Sequence, residues 1–138
     1  MMLESLNLLA VIAAAVVSVI VGSMWYGPLF GKIWIKEMGW TEEEIKKGKN
    51  QNMNKAYILT IIASLVSAFV LGQIISGTST VGAWDGAMIG FWAWLGFGVP
   101  LFLSNVLWEG KSWKMFQINA GYQLVTWVLM GAILGAWM

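Results

Sequence analysis

The sequence predicts an all-α fold, an integral membrane four-helix bundle, and three observations carry that prediction. The chain of 138 residues is 59% hydrophobic and only 11% charged, with a mean hydropathy of +0.72. A soluble domain draws roughly a quarter of its residues from the charged types; eight lysines and seven acids cannot cover a chain of this length. Four stretches reach the ~20 apolar residues that cross a bilayer, at about 6–24, 57–75, 84–108 and 116–137. All eight lysines then fall on one side of the arrangement. The whole chain, 1–138, reads as one transmembrane domain.

The first span follows Glu4 rather than a basic segment, and its apolar run is too long for a signal peptide. Segment 27–54 is the only sizeable polar region. Pro28 can open a short helix at its first turn, with Leu29, Ile33 and Trp34 on one side and Gly39 as its stop. That helix is expected to lie in the interface plane. A second start follows, in which Thr41 is the N-cap, Glu44 completes a capping box and Trp40 pairs with Ile45 as a hydrophobic staple. Glu42 to Glu44 sit at the positive end of that helix dipole, which explains them as helix initiation rather than as a metal cluster. Gln73, near the end of the second span, and Asp85, at the start of the third, read as solvated end groups. Pro100 should kink or break the third span.

Lysine placement sets the expected orientation. Lys32, Lys36, Lys46, Lys47, Lys49 and Lys55 lie between the first two spans, and Lys111 and Lys114 between the last two. The positive-inside rule makes that side cytoplasmic, so both termini are expected outside a cell membrane crossed several times. Trp25, Trp34, Trp108 and Trp113 cluster at the inner boundary, and Trp84 and Trp137 at the outer one. Trp92, Trp94 and Trp127 fall within spans, where packing is the ordinary reading.

Two short patterns recur in the same order. Pro28-Leu29-Phe30 returns as Pro100-Leu101-Phe102, and Asn54-Lys55-Ala56-Tyr57 as Asn119-Ala120-Gly121-Tyr122. They point to two tandem, parallel helical hairpins related by an axis along the membrane normal. Small residues recur every fourth position in every span: Ala10, Ala14, Ser18 and Gly22; Ser64, Ala68 and Gly72; Gly82, Gly86 and Gly90; Gly131 and Gly135. Such stripes let helix backbones approach, either within one copy or between copies of a homo-oligomer.

Composition also removes chemistry. Histidine, cysteine and arginine are all absent, which excludes thiol chemistry, Cys/His zinc sites, imidazole acid–base catalysis and bidentate phosphate clamps. No cofactor or metal is implied, an enzyme is not expected, and a net charge of +1 gives no field for nucleic acid. No acid lies at mid-membrane, where proton-coupled antiporters keep one. Polar residues inside spans are costly and therefore informative. Asn105 and Glu109 share one face of the third span, roughly 6 Å apart along its axis. Asn119, Tyr122, Gln123 and Thr126 share a face of the fourth, and Tyr57, Thr60, Ser64 and Ser67 mark the second. Asn105, Glu109, Asn119, Tyr122 and Gln123 form the candidate polar pocket; plain interhelical hydrogen bonding is the competing explanation.

The run Trp25-Tyr26-Gly27-Pro28-Leu29-Phe30-Gly31-Lys32-x-Trp34 resembles a family of small prokaryotic membrane proteins, domain of unknown function seventeen-sixty-one. The glycine- and tryptophan-rich third span, Glu109 and Phe116-Gln117-Ile118-Asn119-Ala120-Gly121-Tyr122 fit the same pattern. The resemblance implies a four-span membrane protein and no particular activity. Two functions compete: an oligomeric permeation or transport-like module for a small solute or ion, and a non-transporting accessory subunit docking an unknown protein partner through 27–54.

Overall fold

The computed structural model describes residues 7–39, 53–78 and 82–137, which are almost entirely helical. Four helices are long and apolar enough to cross a membrane: span one (Leu8–Leu29), span two (Lys55–Gly77), span three (Gly82–Glu109) and span four (Trp113–Trp137). This is an integral membrane helical bundle. Toward the lysine-bearing end each span outruns its apolar stretch, because helical hydrogen bonding continues through interfacial residues such as Tyr26 and Lys114 that hydropathy excludes. A short helix, Gly31–Met38, follows span one. The second helix start at Thr41 to Ile45, and Lys46, Lys47 and Lys49, lie outside the described residues.

Span four is the hub, packed against each of the other three. Span three rests almost wholly on span four, whereas span two leans chiefly on span one. The core gathers at the end away from the lysines, from Ala10, Ala14 and Ala15 of span one, Ala68, Leu71 and Ile75 of span two, and Met130 and Leu134 of span four. Asn7 closes that end: its side-chain oxygen caps span one at the amides of Leu9 and Ala10, at 3.0 and 3.3 Å. Its amide nitrogen donates to the Trp137 carbonyl at 3.2 Å, tying the start of span one to the end of span four.

All four small-residue stripes are used inside the one chain. Ala10, Ala14 and Ser18 are buried, as are Ser64 and Ala68, and the Ser18 and Ser64 hydroxyls meet at 3.2 Å. Gly86 and Gly90 are buried against span four. A Cβ on Gly86 would overlap the Gly131 carbonyl oxygen, one on Gly90 the Trp127 carbonyl oxygen, and one on Gly135 the Gly82 carbonyl oxygen. Only hydrogen at these positions lets the two backbones touch.

Spans one and three each contain one wide, π-type turn, at Trp25–Leu29 and Trp94–Gly98. In span one the Phe30 amide reaches back five residues to the Trp25 carbonyl, at 2.9 Å. Pro28 lies within this turn, and the short helix it was expected to open begins at Gly31 instead. Pro100 follows the second wide turn. Lacking an N–H and pressing its ring on the carbonyl four residues back, it loosens the helix one turn before itself. The short helix and span three end on Gly39 and Gly110, both left-handed with φ of 73° and 72°, the conformation glycine adopts without steric cost.

Two further expectations are corrected. Trp92 is expected to pack within its span, yet it is 61% exposed, with its ring against neighbouring Phe91 at 5.4 Å between centroids. Gln73 is expected to be a solvated end group, but its amide nitrogen is buried with no hydrogen-bond partner among the described residues.

Candidate functional site

The two wide turns fix the lysine-bearing end of the bundle to span four. Each begins with a tryptophan whose indole N–H donates to a span-four carbonyl: Trp25 to Ile118 at 2.9 Å, and Trp94 to Ala120 at 2.7 Å. Trp25 also lies over Gly121, where an added Cβ would come within 3.0 Å of its ring. With Trp25 held there, the next residue, Tyr26, turns to the other side of span one's end. Its hydroxyl donates to the Asn119 side-chain oxygen at 2.6 Å.

Tyr26 stands at one wall of a cavity of about 750 Å³ between spans one, two and four. Its ring meets Tyr122 edge-on at 5.3 Å and Trp34 at 5.6 Å between centroids. Tyr57 and Thr60 line the span-two side, and Gly22 and Ser23 the span-one side. Gly22 leaves room for the Tyr122 ring, since a Cβ there would sit 3.0 Å from the phenol oxygen. Several hydroxyls are already satisfied: Ser23 donates to the Val19 carbonyl at 3.0 Å and Thr60 to the Ala56 carbonyl at 2.7 Å. Lys111 supplies the one cationic group in the lining among the described residues. Its position follows from the end of span three, where the Lys111 amide bonds the Asn105 carbonyl at 3.1 Å beyond left-handed Gly110.

Toward mid-membrane the cavity meets a floor. The Tyr122 hydroxyl donates to the Ser18 carbonyl at 3.2 Å, and the Ser18 and Ser64 hydroxyls bridge spans one and two. Beyond them lies the apolar core. One turn further along span four, the Thr126 hydroxyl is buried with no hydrogen-bond partner among the described residues.

Of the five residues read from sequence as a polar pocket, the structure brings two into this cavity, Asn119 and Tyr122. Asn105 faces Asn119 across a separate small pocket of about 50 Å³. Glu109 is exposed at the end of span three, and Gln123 is half-buried; neither lines the cavity. Tyr26, Trp34 and Gly22 also line the cavity, and sequence reasoning selects none of them as a site residue. The available signal is Tyr26 itself, a phenol two residues past the apolar stretch 6–24. Among the described residues no group of acids could hold a metal ion.

No curated protein and no solved structure matches the chain. A family model does, over residues 9–135, described as Protein of unknown function (DUF1761). That match spans all four membrane helices and every cavity residue named above, and the chain belongs to this family.

Proposed function

We propose that this protein is a permeation or transport-like module of the cell membrane, taking a small hydrogen-bonding solute into the tyrosine-lined cavity from its lysine-bearing side. The observation that supports this reading is a cavity of about 750 Å³ with phenol, amide and ammonium groups, closed toward mid-membrane by a hydrogen-bonded floor above the apolar core. Hydroxyl bonds between membrane helices contribute only ~0.6 kcal/mol each, so such a floor opens at small cost. Span two is the element placed to move: residues 55–63 are all exposed, and it is held by one buried stripe. By the lysine distribution the cavity faces the cytoplasm and both termini lie outside. A homo-oligomer belongs to this reading, through surfaces other than the small-residue stripes. The matched wide turns of spans one and three, each led by a tryptophan bonded to span four, support descent from a duplicated hairpin.

The test is stopped-flow light scattering on vesicles reconstituted with the protein, using glycerol and urea as probes. The expected result is faster solute entry than into protein-free vesicles, increased further by Tyr122→Ala, which removes the floor's phenol. Entry rates equal to those of protein-free vesicles, with helical protein confirmed in the membrane, would overturn the reading. The accessory-subunit alternative draws on Leu29 and Ile33, which stay exposed beside the short helix. It would then be pursued by Leu29→Ser and Ile33→Ser in a search for a lost co-purifying subunit.

A further inference from the structure

A second cavity, of about 380 Å³, lies on the other side of the short helix and shares no lining residue with the first. Its wall is divided. Trp25, Phe30 and Ile118 form an apolar floor, and Lys36, Lys114 and Glu37 stand at its rim with the amide of Gln117. Lys36 is in the last turn of the short helix and Lys114 is the second residue of span four. The rim therefore sits at the height where apolar membrane spans give way to charge, and the floor continues down span four. The rim carries two ammonium groups against one carboxylate, a net charge of +1.

We infer that this cavity binds an anionic phospholipid carrying a single phosphate charge. Lys36 and Lys114 take the phosphate, Gln117 hydrogen-bonds the headgroup, and the first methylenes of an acyl chain lie on Trp25 and Ile118. A basic pocket between membrane helices at the interface has the charge and depth of a lipid headgroup site. A soluble phosphate would leave the aromatic floor wet, and a zwitterionic lipid would bring its own ammonium against two lysines. Bound there, the lipid braces the short helix on span four next to the Trp25 bond that shapes the solute cavity.

The experiment is native mass spectrometry of the delipidated protein in neutral detergent, titrated with phosphatidylglycerol, phosphatidylcholine or glycerol phosphate. Phosphatidylglycerol is expected to bind at least tenfold more tightly than phosphatidylcholine, with glycerol phosphate unable to displace it. A surface lysine contributes about fivefold to anionic-lipid attraction, so Lys36→Gln with Lys114→Gln should cost about thirtyfold, while Lys55→Gln changes nothing. Glu37→Gln should tighten binding, an opposite sign that a damaged fold would not give. Equal binding of both lipids, an intact preference in the double variant, or displacement by glycerol phosphate would each overturn the assignment.

Discussion

Span four meets its neighbours by two different means. Against span three it uses absence: Gly86, Gly90, Gly131 and Gly135 bring backbone onto backbone with no side chain between. Against span one at the lysine-bearing end it uses reach, through Trp25, Tyr26 and Tyr122, whose rings and hydroxyls bridge the two helices. The first contact fills space and the second leaves the 750 Å³ cavity. Close packing and an open cavity are competing uses of the same helix surface, and this chain gives each its own half. Span three adds nothing to the cavity except Lys111, just past its end.

Breaking the close-packed half should have the largest effect. Gly131→Ala adds one methyl group where the Gly86 carbonyl already stands, so spans three and four must separate. Overpacking of this kind costs about 3 kcal/mol. Gly96→Ala adds the same methyl where nothing lies within 4 Å and should change stability by less than ~0.5 kcal/mol. Loss of helical circular dichroism on titrating a denaturing detergent measures both. Similar stabilities for the two variants would mean that the glycine contact does not hold the bundle.

A middle-sized effect separates the two tryptophan bonds. Trp94→Phe and Trp25→Phe each remove an indole donor from a span-four carbonyl, a loss of about 1 kcal/mol by ordinary hydrogen-bond values. Trp94 belongs to the half already fixed by glycines, so its loss should lower stability and leave the cavity unchanged. Trp25 is the brace that turns Tyr26 toward Asn119, so its loss should also increase hydrogen exchange at the Tyr26 and Asn119 amides. Equal exchange in the two variants would remove the distinction between the halves.

The close-packed half was more legible in the sequence than the open one, for a physical reason. Glycine stripes and apolar runs are periodic within one helix, so Gly86, Gly90 and Gly131 announce their role locally. Gly39 as a helix stop and Pro100 as a weak point are local in the same way, although the loosened turn at Trp94–Gly98 precedes the proline. The cavity depends on partners far apart in the chain. Tyr26 and Asn119 are 93 residues apart, and neither carries a periodic signal that selects the other. Asn119 and Tyr122 share a helix face and both line the cavity, whereas Glu109 and Gln123, on polar helix faces of the same kind, stand outside it. Gln73 shows the limit from the other direction, since proximity to a helix end does not by itself expose a polar group.

The smallest effect falls at the seam between the halves. Thr126 is 2% exposed and its hydroxyl has no partner among the described residues, one turn from Tyr122 on the cavity side and five residues from Gly131 on the other. A buried hydroxyl without a bond carries its desolvation cost uncompensated. Thr126→Val keeps the shape and removes that cost, so it should stabilise the protein by about 1 kcal/mol, whereas Thr126→Ala should destabilise it by leaving a void. If valine instead lowers stability, the hydroxyl is engaged in the membrane by a water or solute that the valine cannot bind. The polar route from the cavity would then extend past the Tyr122 floor to mid-span, and the boundary between the two halves would lie one helical turn deeper than the hydrogen bonds at Ser18 place it.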